Sequence, residues 1–582
     1  MLREGDDILA DSQSVANVFG EHFKVLTQTP SAGDGTGICI DELSLEDICH
    51  KYENNDSIKA IKDHAQTNDF MLTHVCEREV HTLLSQLNKK KATGYDGLPA
   101  KLIVKVSNVI TPTITRLVNL MIDQSNFPKH LKCAEISPVF KKADRLDKTN
   151  YRPVSILPCV SKIFEKVINA QISNHFYTKY AQNLSAYRKQ YNTQCVLLKA
   201  VDDWKRALDE RKFAAALLMD LSKAFDVIPH GLLVAKLCAY GYKAEVVLLM
   251  KNYLGQRKQR VKVDDARSDW TDLTQGVPQG SVLGPTLFNI FLNDLFYTVS
   301  ESSIYNYADD NTLSVIADTM DELVVRIERD GSLMTKWFND NQMLANPDKY
   351  QTIIFGKKVD GSRNSFDVGG VTIPVTSDVK LLGVNIDENL AFNLQASIIC
   401  KKAGGQVNAL MRLSRLLSRD VKRHIYNAFI YSNFTYCPSV WLMCSKENMK
   451  QLEKINCRAL RFLYNDFDAT YEELLAKGNH RAISVVLLHS IAIEVFKAVN
   501  GLSPEYMTNM FRRQDHRHNV RNQHGLVQIP FRTVRYGYNS FGYLGAKVWN
   551  SLPNDMKCAQ SLSMFKKQIA RINDTSCLHR LL

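Results

Sequence analysis

Tyr307-Ala-Asp-Asp310 sets two adjacent carboxylates between two short apolar runs, Ser302–Asn306 and Thr312–Ala317. Both runs read as β-strands, so the acids fall at or near a hairpin tip. Successive side chains on a strand point to opposite faces, and a regular strand cannot aim both at one ligand. A turn can bring them closer, and like charges that close call for a cation. The ion that suits is divalent and oxygen-seeking, Mg2+ or Mn2+. Taken alone, Asp-Asp-Asn is equally ordinary turn chemistry, so the rest of the chain has to decide.

Two further segments answer it. Phe213-Ala-Ala-Ala-Leu-Leu-Met219 is an unbroken apolar run that stops at Asp220 and continues Leu-Ser-Lys-Ala-Phe-Asp226. A run of that length suits a strand buried on both faces, and an acid at its end either caps a helix or is delivered to a site. Gln275-Gly-Val-Pro-Gln-Gly-Ser-Val-Leu-Gly-Pro285 is rich in turn formers and leads into Thr286–Val299, whose apolar residues fall at largely helical spacing. A glycine-rich loop opening a helix approaches a nucleotide closely and offers backbone N–H groups to anions.

In that order, these motifs resemble the reverse transcriptase of a non-LTR (LINE-type) retrotransposon, in the group of CR1, L2 and jockey-like elements. Met219–Asp226, Gly276–Pro285 and Tyr307–Asp310 carry the resemblance, together with Lys91–Pro99, Pro138–Lys142, Asn150–Pro158, Ser185–Lys189, Trp337–Asp340, Asn346–Lys349 and Lys380–Val384. They cover roughly residues 80–390, and a weaker match around Val548–Pro553 and Phe565–Lys567 extends nearly to the end.

The resemblance implies an α+β fold, a right-hand polymerase with fingers, a palm built on an antiparallel sheet, a helical thumb and a helical C-terminal extension. It implies an RNA-directed DNA polymerase that copies RNA into cDNA from a primer 3′ end, with RNA template, DNA primer and dNTPs as partners and no membrane. Two Mg2+ ions (or Mn2+) would be held by Asp220 and Asp309, with Asp310 as the third ligand and the Leu221 carbonyl facing the nucleotide-side ion. Phe225 falls where the family places a bulky ring beneath the incoming sugar, leaving no room for a 2′-hydroxyl; on its own residues it reads equally as core packing. Gln279 and Gly280 would lie along the nucleotide and template base, Lys142 and Arg152 would hold the triphosphate, and Lys349 would protonate the leaving pyrophosphate. Asp226 reads as a cap for the turn or helix that follows. One departure stands out. After Ser185–Lys189 the family continues Gly-x-Ser-Thr, and here the sequence is Gln190-Tyr-Asn-Thr193, which removes a permissive backbone position. The alternatives are a nucleic-acid-binding relic without turnover, or a group II intron or retron-type enzyme.

The chain of 582 residues has room for several domains. The expected boundaries are a connector (1–75), fingers (76–212), palm (213–386, with a reverse transcriptase domain of about 122–386), thumb (387–481) and C-terminal extension (482–582). Seventy-five residues cannot hold the endonuclease domain that precedes the connector in full-length family members, so the expectation is a chain lacking it. Net charge is +12, as suits a protein that tracks phosphates. Thirteen cysteines without a framework point to free thiols in a reducing compartment, nuclear or cytoplasmic. Arg412, Arg415, Arg419 and Lys422 recur at three- and four-residue spacing, which predicts one basic helix face in the thumb. In the last hundred residues, arginines interleave with Tyr536, Tyr538, Phe541 and Tyr543, a pattern that suits RNA or single strands. Asp360-Gly-Ser362 reads as a hairpin turn, and Cys577/His579 lack zinc-knuckle spacing.

Overall fold

The computed structural model describes residues 1–5, 7–28, 40–64, 69–356, 364–441, 444–514 and 524–572, so the Asp360 turn and the Cys577/His579 pair lie outside the described residues. Helix and sheet are mixed throughout. The chain forms two compact units. One comprises Met1–Ala181, Leu221–Val299 and Leu333–Asn346, and the other Gln182–Asp220, Ser300–Ser332 and Pro347–Leu582.

In the first unit, strand Cys133–Phe140 pairs antiparallel with Tyr151–Ile156, and its start runs parallel to Arg257–Val263. The loop between the first two strands, residues 141–150, is polar and carries Lys141 and Lys142. Glu135 sits buried in this sheet, and Arg260 and Arg267 close on its Oε1 at 2.6 and 3.0 Å. Burial alone would raise its pKa; the two guanidinium groups outweigh that and hold it low. Near the N-terminus lies helix Ser12–Gln28, from which Phe19 and Phe23 join the core of this sheet. A preceding strand pair, Leu2–Glu4 with Asp7–Leu9, was not expected; the Arg3 amide donates to Leu146 O in the hairpin tip at 2.8 Å.

The second unit is built on a four-stranded antiparallel sheet. Its strands are β1 (Phe213–Asp220), β2 (Ser303–Tyr307), β3 (Asp310–Ala317) and β4 (Gln351–Phe355), in the order β4-β1-β3-β2. The apolar run is therefore a central strand, flanked on both sides, as its continuous hydrophobicity requires. Its three alanines and Leu217 are fully buried. Small side chains there let helices approach both faces. Gly331, inside the helix that starts at Met320, lies so near that a Cβ would meet Leu217 Cδ2 at 2.9 Å. Helix α1 (Thr193–Asp209) begins at Asn192, whose side chain accepts the Cys195 amide at 3.0 Å. Trp204 of α1 stacks on Phe355 of β4 (centroids 4.4 Å apart) and donates from Nε1 to Ser314 Oγ of β3 at 2.8 Å.

One face of α1 anchors the C-terminal segment. Asp202, Lys205 and Asp209 recur at helical spacing, and all three are buried. Asp202 accepts the Gly542 amide at 2.9 Å and Lys205 donates to Asn539 O at 2.9 Å. Asp209 accepts the Arg532 and Thr533 amides and the Thr533 hydroxyl at 2.9, 2.7 and 2.7 Å. Burial raises Asp202 to about 6 and lowers Lys205 to about 8.

Past β4 the chain forms a hairpin, Asp378–Leu381 with Val384–Asp387. Leu382 and Gly383 turn the chain with φ of 45° and 82°, positive at both central positions as a type I′ turn requires. The basic helix face expected over Arg412–Lys422 is broken. Helix Asn393–Leu413 ends before Arg415, and the next helix starts at Arg419 behind its cap Ser418, so Arg412, Arg415 and Arg419 share no continuous helix. Lys422 is buried and donates to Phe462 O at 3.3 Å and Asn465 Oδ1 at 2.8 Å. It places a cation on the C-terminal end of helix Lys446–Tyr464, a cap and not a phosphate contact. Lys422→Ala is therefore expected to cost about 2 kcal/mol of stability, the scale of hydrogen bonds from a charged donor, and to leave the salt slope of nucleic-acid binding unchanged. A denaturant melt and a salt titration check this; a slope reduced with stability intact would restore the phosphate role.

Candidate active site: a carboxylate hairpin beside a buried strand end

Tyr307 and Asp310 pair across a two-residue turn, Ala308-Asp309. Ala308 takes a φ of 58°, a region alanine enters only at a cost, and the turn is held by amides. Asn306, fully buried, donates from Nδ2 to Ala308 O at 2.7 Å and to Asn311 Oδ1 at 2.9 Å. Asn311 in turn donates to Asp309 O at 3.2 Å. The turn that carries the acids is thus specified by two buried asparagines that the sequence reading passed over as strand ends.

In register, Asp310 of β3 stands directly opposite Asp220 of β1. Directly opposed like charges are destabilising, and a third residue offsets them. Lys349, in the short 3-10 turn Pro347–Lys349 before β4, places Nζ 3.1 Å from Asp220 Oδ2. Asp220 and Asp309 are partly exposed and Asp310 is exposed. The expected convergence of three carboxylates around one point is not what the side chains adopt. Among the described residues no group of three or more His, Cys, Asp or Glu side chains is gathered closely enough to hold an ion. Backbone register brings Asp220 and Asp310 opposite each other, and Lys349 bridges to Asp220. The donor set is all oxygen, fits a hard divalent cation, and already takes one cationic partner at Asp220.

The remaining predicted residues lie in the first unit. Leu221 follows Asp220 and is buried. Phe225 is partly buried and stacks on Phe288 with centroids 4.4 Å apart and planes at 13°. Its carbonyl accepts the Val277 amide at 2.8 Å, which fastens the glycine-rich loop to this segment. Gly276 has a φ of 80°, and a Cβ there would lie 2.5 Å from the Asp226 carbonyl. Gly280 has a φ of 126°, and its Cβ would lie 2.5 Å from Ser155 O. No side chain fits at either position. The loop ends at helix Gly284–Leu292, shorter than the Thr286–Val299 expected, because the chain tightens into a 3-10 turn over Asn293–Tyr297. Lys142 and Arg152 are both exposed, in the hairpin loop and on the strand that follows it.

Asp226 is not the cap expected of it. The next helix, His230–Ala239, starts behind Pro229, and the buried Asp226 carboxylate instead accepts from Gln279 Nε2 at 2.9 and 2.8 Å. Burial pushes its pKa up to about 6, against the pull of the Gln279 amide and Lys223. With Nε2 committed, Gln279 has its carbonyl oxygen left to offer. A second buried acid was missed altogether. Glu165, inside a helix, accepts the Val282 and Leu283 amides at 2.5 and 3.3 Å and so caps the helix after the loop. Burial raises its pKa. The available signal was that Glu165 is the only acid in Ser161–Phe176.

Gln190, which stands where the family has glycine, takes a φ of 73°. Replacing it by glycine is expected to stabilise the protein by about 1 kcal/mol, the lower end of the left-handed penalty, net of its bond to Gly501 O at 3.2 Å. Thermal melts of Gln190→Gly decide this; equal or lower stability rejects the strain.

The matched region is a reverse transcriptase domain: residues 140–386 match the reverse transcriptase (RNA-dependent DNA polymerase) family. The chain is homologous to polymerases of non-LTR retrotransposons. It is 26% identical over 405 residues to the RNA-directed DNA polymerase from mobile element jockey of Drosophila melanogaster, which covers 67% of this chain and 44% of that protein. It is 28% identical over 409 residues to the corresponding jockey protein of Drosophila funebris, covering 66% and 43%. Similarity extends to the Pol polyprotein of retrotransposable element R1 of Bradysia coprophila, 23% over 397 residues, covering 66% and 38%. The chain thus spans less than half the length of these relatives. No helix among the described residues is long and apolar enough to cross a membrane.

Proposed function

We propose that the chain is an RNA-directed DNA polymerase of a non-LTR retrotransposon, extending a primer 3′ end along an RNA template with dNTPs. One observation carries this reading: the Asp309-Asp310 hairpin lies in register with Asp220 at the end of a buried central strand, within the region that matches the reverse transcriptase family. The sheet that holds these acids serves as the palm, the hairpin with Lys142 and Arg152 belongs to the fingers, and the helices after residue 393 form the thumb. Two Mg2+ ions, when bound, would activate the primer hydroxyl and neutralise charge on the transferred phosphate. Asp220 and Asp309 are the principal ligands, Asp310 the third, and the Leu221 carbonyl completes the set. Lys349 passes from its ion pair with Asp220 to the leaving pyrophosphate, which it protonates. Phe225 limits space at the sugar, Gln279 and Gly280 face nucleotide and template, and Lys142 and Arg152 grip the triphosphate. The test is primer extension on poly(rA)·oligo(dT) with and without Mg2+. Extension that requires both metal and the RNA template supports the reading, and none under any condition rejects it.

A further inference from the structure

The C-terminal segment of the second unit encloses a cleft of about 270 Å³ whose lining joins aromatic rings to unpaired arginines. Phe531, Tyr538 and Tyr543 meet edge to face or tilted, with centroids 4.7–5.6 Å apart, and Phe531 remains 38% exposed. Arg206 of α1 and Arg532 line the same cleft, and Arg535 lies on the adjoining turn; all three are exposed. Among the described residues none of the three forms a salt bridge, although Glu210 also lines the cleft and is itself engaged by Lys212 at 3.5 Å.

The backbone behind these residues is held unusually firmly. The buried Asp209 carboxylate is consumed by the amides of Arg532 and Thr533 and the Thr533 hydroxyl. It lies so close to the next turn that a Cβ on Gly537 would meet its Cγ at 2.5 Å. Those backbone bonds hold its pKa low against the opposing effect of burial. Asp209 is therefore an internal strut, its carboxylate turned to backbone amides and, among the described residues, in no salt bridge with Arg206 or Arg532. A rigid frame that presents aromatic faces and guanidinium groups together to solvent is the combination single strands bind: bases stack on rings, and phosphates meet cations. The volume is just under that of pockets for small ligands.

We propose that this cleft binds an unpaired RNA nucleotide, its base stacked on Phe531 or Tyr543 and its phosphate met by Arg532 and Arg206. The inference stands apart from the polymerase reading, since none of its residues belongs to the carboxylate site.

The test uses the full chain with a short single-stranded RNA carrying 5-iodouridine, photocrosslinked in the presence of excess template–primer duplex and mapped by mass spectrometry. Crosslinks are expected within residues 529–543. In anisotropy titrations Phe531→Ala and Tyr543→Ala should each weaken single-strand binding on the order of tenfold, with Phe531→Trp restoring it. Arg532→Gln should lower the salt slope by about 0.7. Single-nucleotide addition on a short template–primer with a one-base template overhang should be unchanged in all of them. Crosslinks confined to other residues, or equal affinity in both alanine variants, overturn the proposal. Equal binding of single-stranded DNA overturns the assignment to RNA. A chain that fails to extend primers while still crosslinking here sinks the polymerase reading alone.

Discussion

Asp309→Ala is expected to abolish primer extension, by on the order of 10³-fold or more, while template–primer affinity changes little. Asp309 occupies the second position of a two-residue turn whose backbone is held by Asn306 and Asn311. Removing its carboxylate takes away the proposed metal ligand without loosening the hairpin, so the loss should fall on charge stabilisation in the transition state. Melting temperature should stay near that of the parent, because Asp309 is partly exposed and its side chain supports no buried neighbour. Extension within tenfold of the parent would reject the assignment. Asn306→Ala offers a second reading of the same geometry. It leaves every acid in place but removes the amide that fixes the turn, so it should lower both activity and stability.

Phe225→Ala should relax discrimination against ribonucleotides by roughly 10–200-fold, the range a missing contact in a shaped pocket supports. The ring is not free to adopt any orientation. It is stacked on Phe288, and its backbone is tied to Val277, so a gate made from it would be rigid. That same stacking makes the bland alternative concrete, since removing a stacked ring costs about 0.5–1.5 kcal/mol beyond its buried area. The measurement is therefore a ratio, rNTP against dNTP incorporation, read beside a melt. Lower stability with an unmoved ratio makes Phe225 a packing residue and places the gate elsewhere.

The parts of the fold legible in the sequence were those coded locally. Phe213–Asp220 announced itself because a central strand needs continuous hydrophobicity, and the acid at its end broke that run abruptly. The hairpin at Ala308-Asp309 was legible from the apolar runs around it. Pairings over long separations were not. Asp226 and Gln279 read as a cap and a nucleotide contact, and only the fold reveals that one holds the other. Lys422 looked like one more surface cation at helical spacing, because the sequence cannot show that Ser414 and Ser418 stop and restart the helix around it. Glu165 has one local partner, the Ser161 hydroxyl, but the amides it holds, those of Val282 and Leu283, lie more than a hundred residues on.

The acid–lysine–acid face of α1 sets an order of events during synthesis. Asp202, Lys205 and Asp209 leave the ribosome more than 320 residues ahead of the amides and hydroxyl that satisfy them. At roughly 5–20 residues per second this is a wait of about 15–65 s, during which a helix face destined for burial keeps its charges in water. The sheet that carries the acids can form in that interval, but α1 cannot be sealed over until residues 532–542 arrive. The second unit thus cannot finish folding until residues 532–542 have been made, and a nascent chain released before then would present a charged, half-apolar helix face as a mark for degradation.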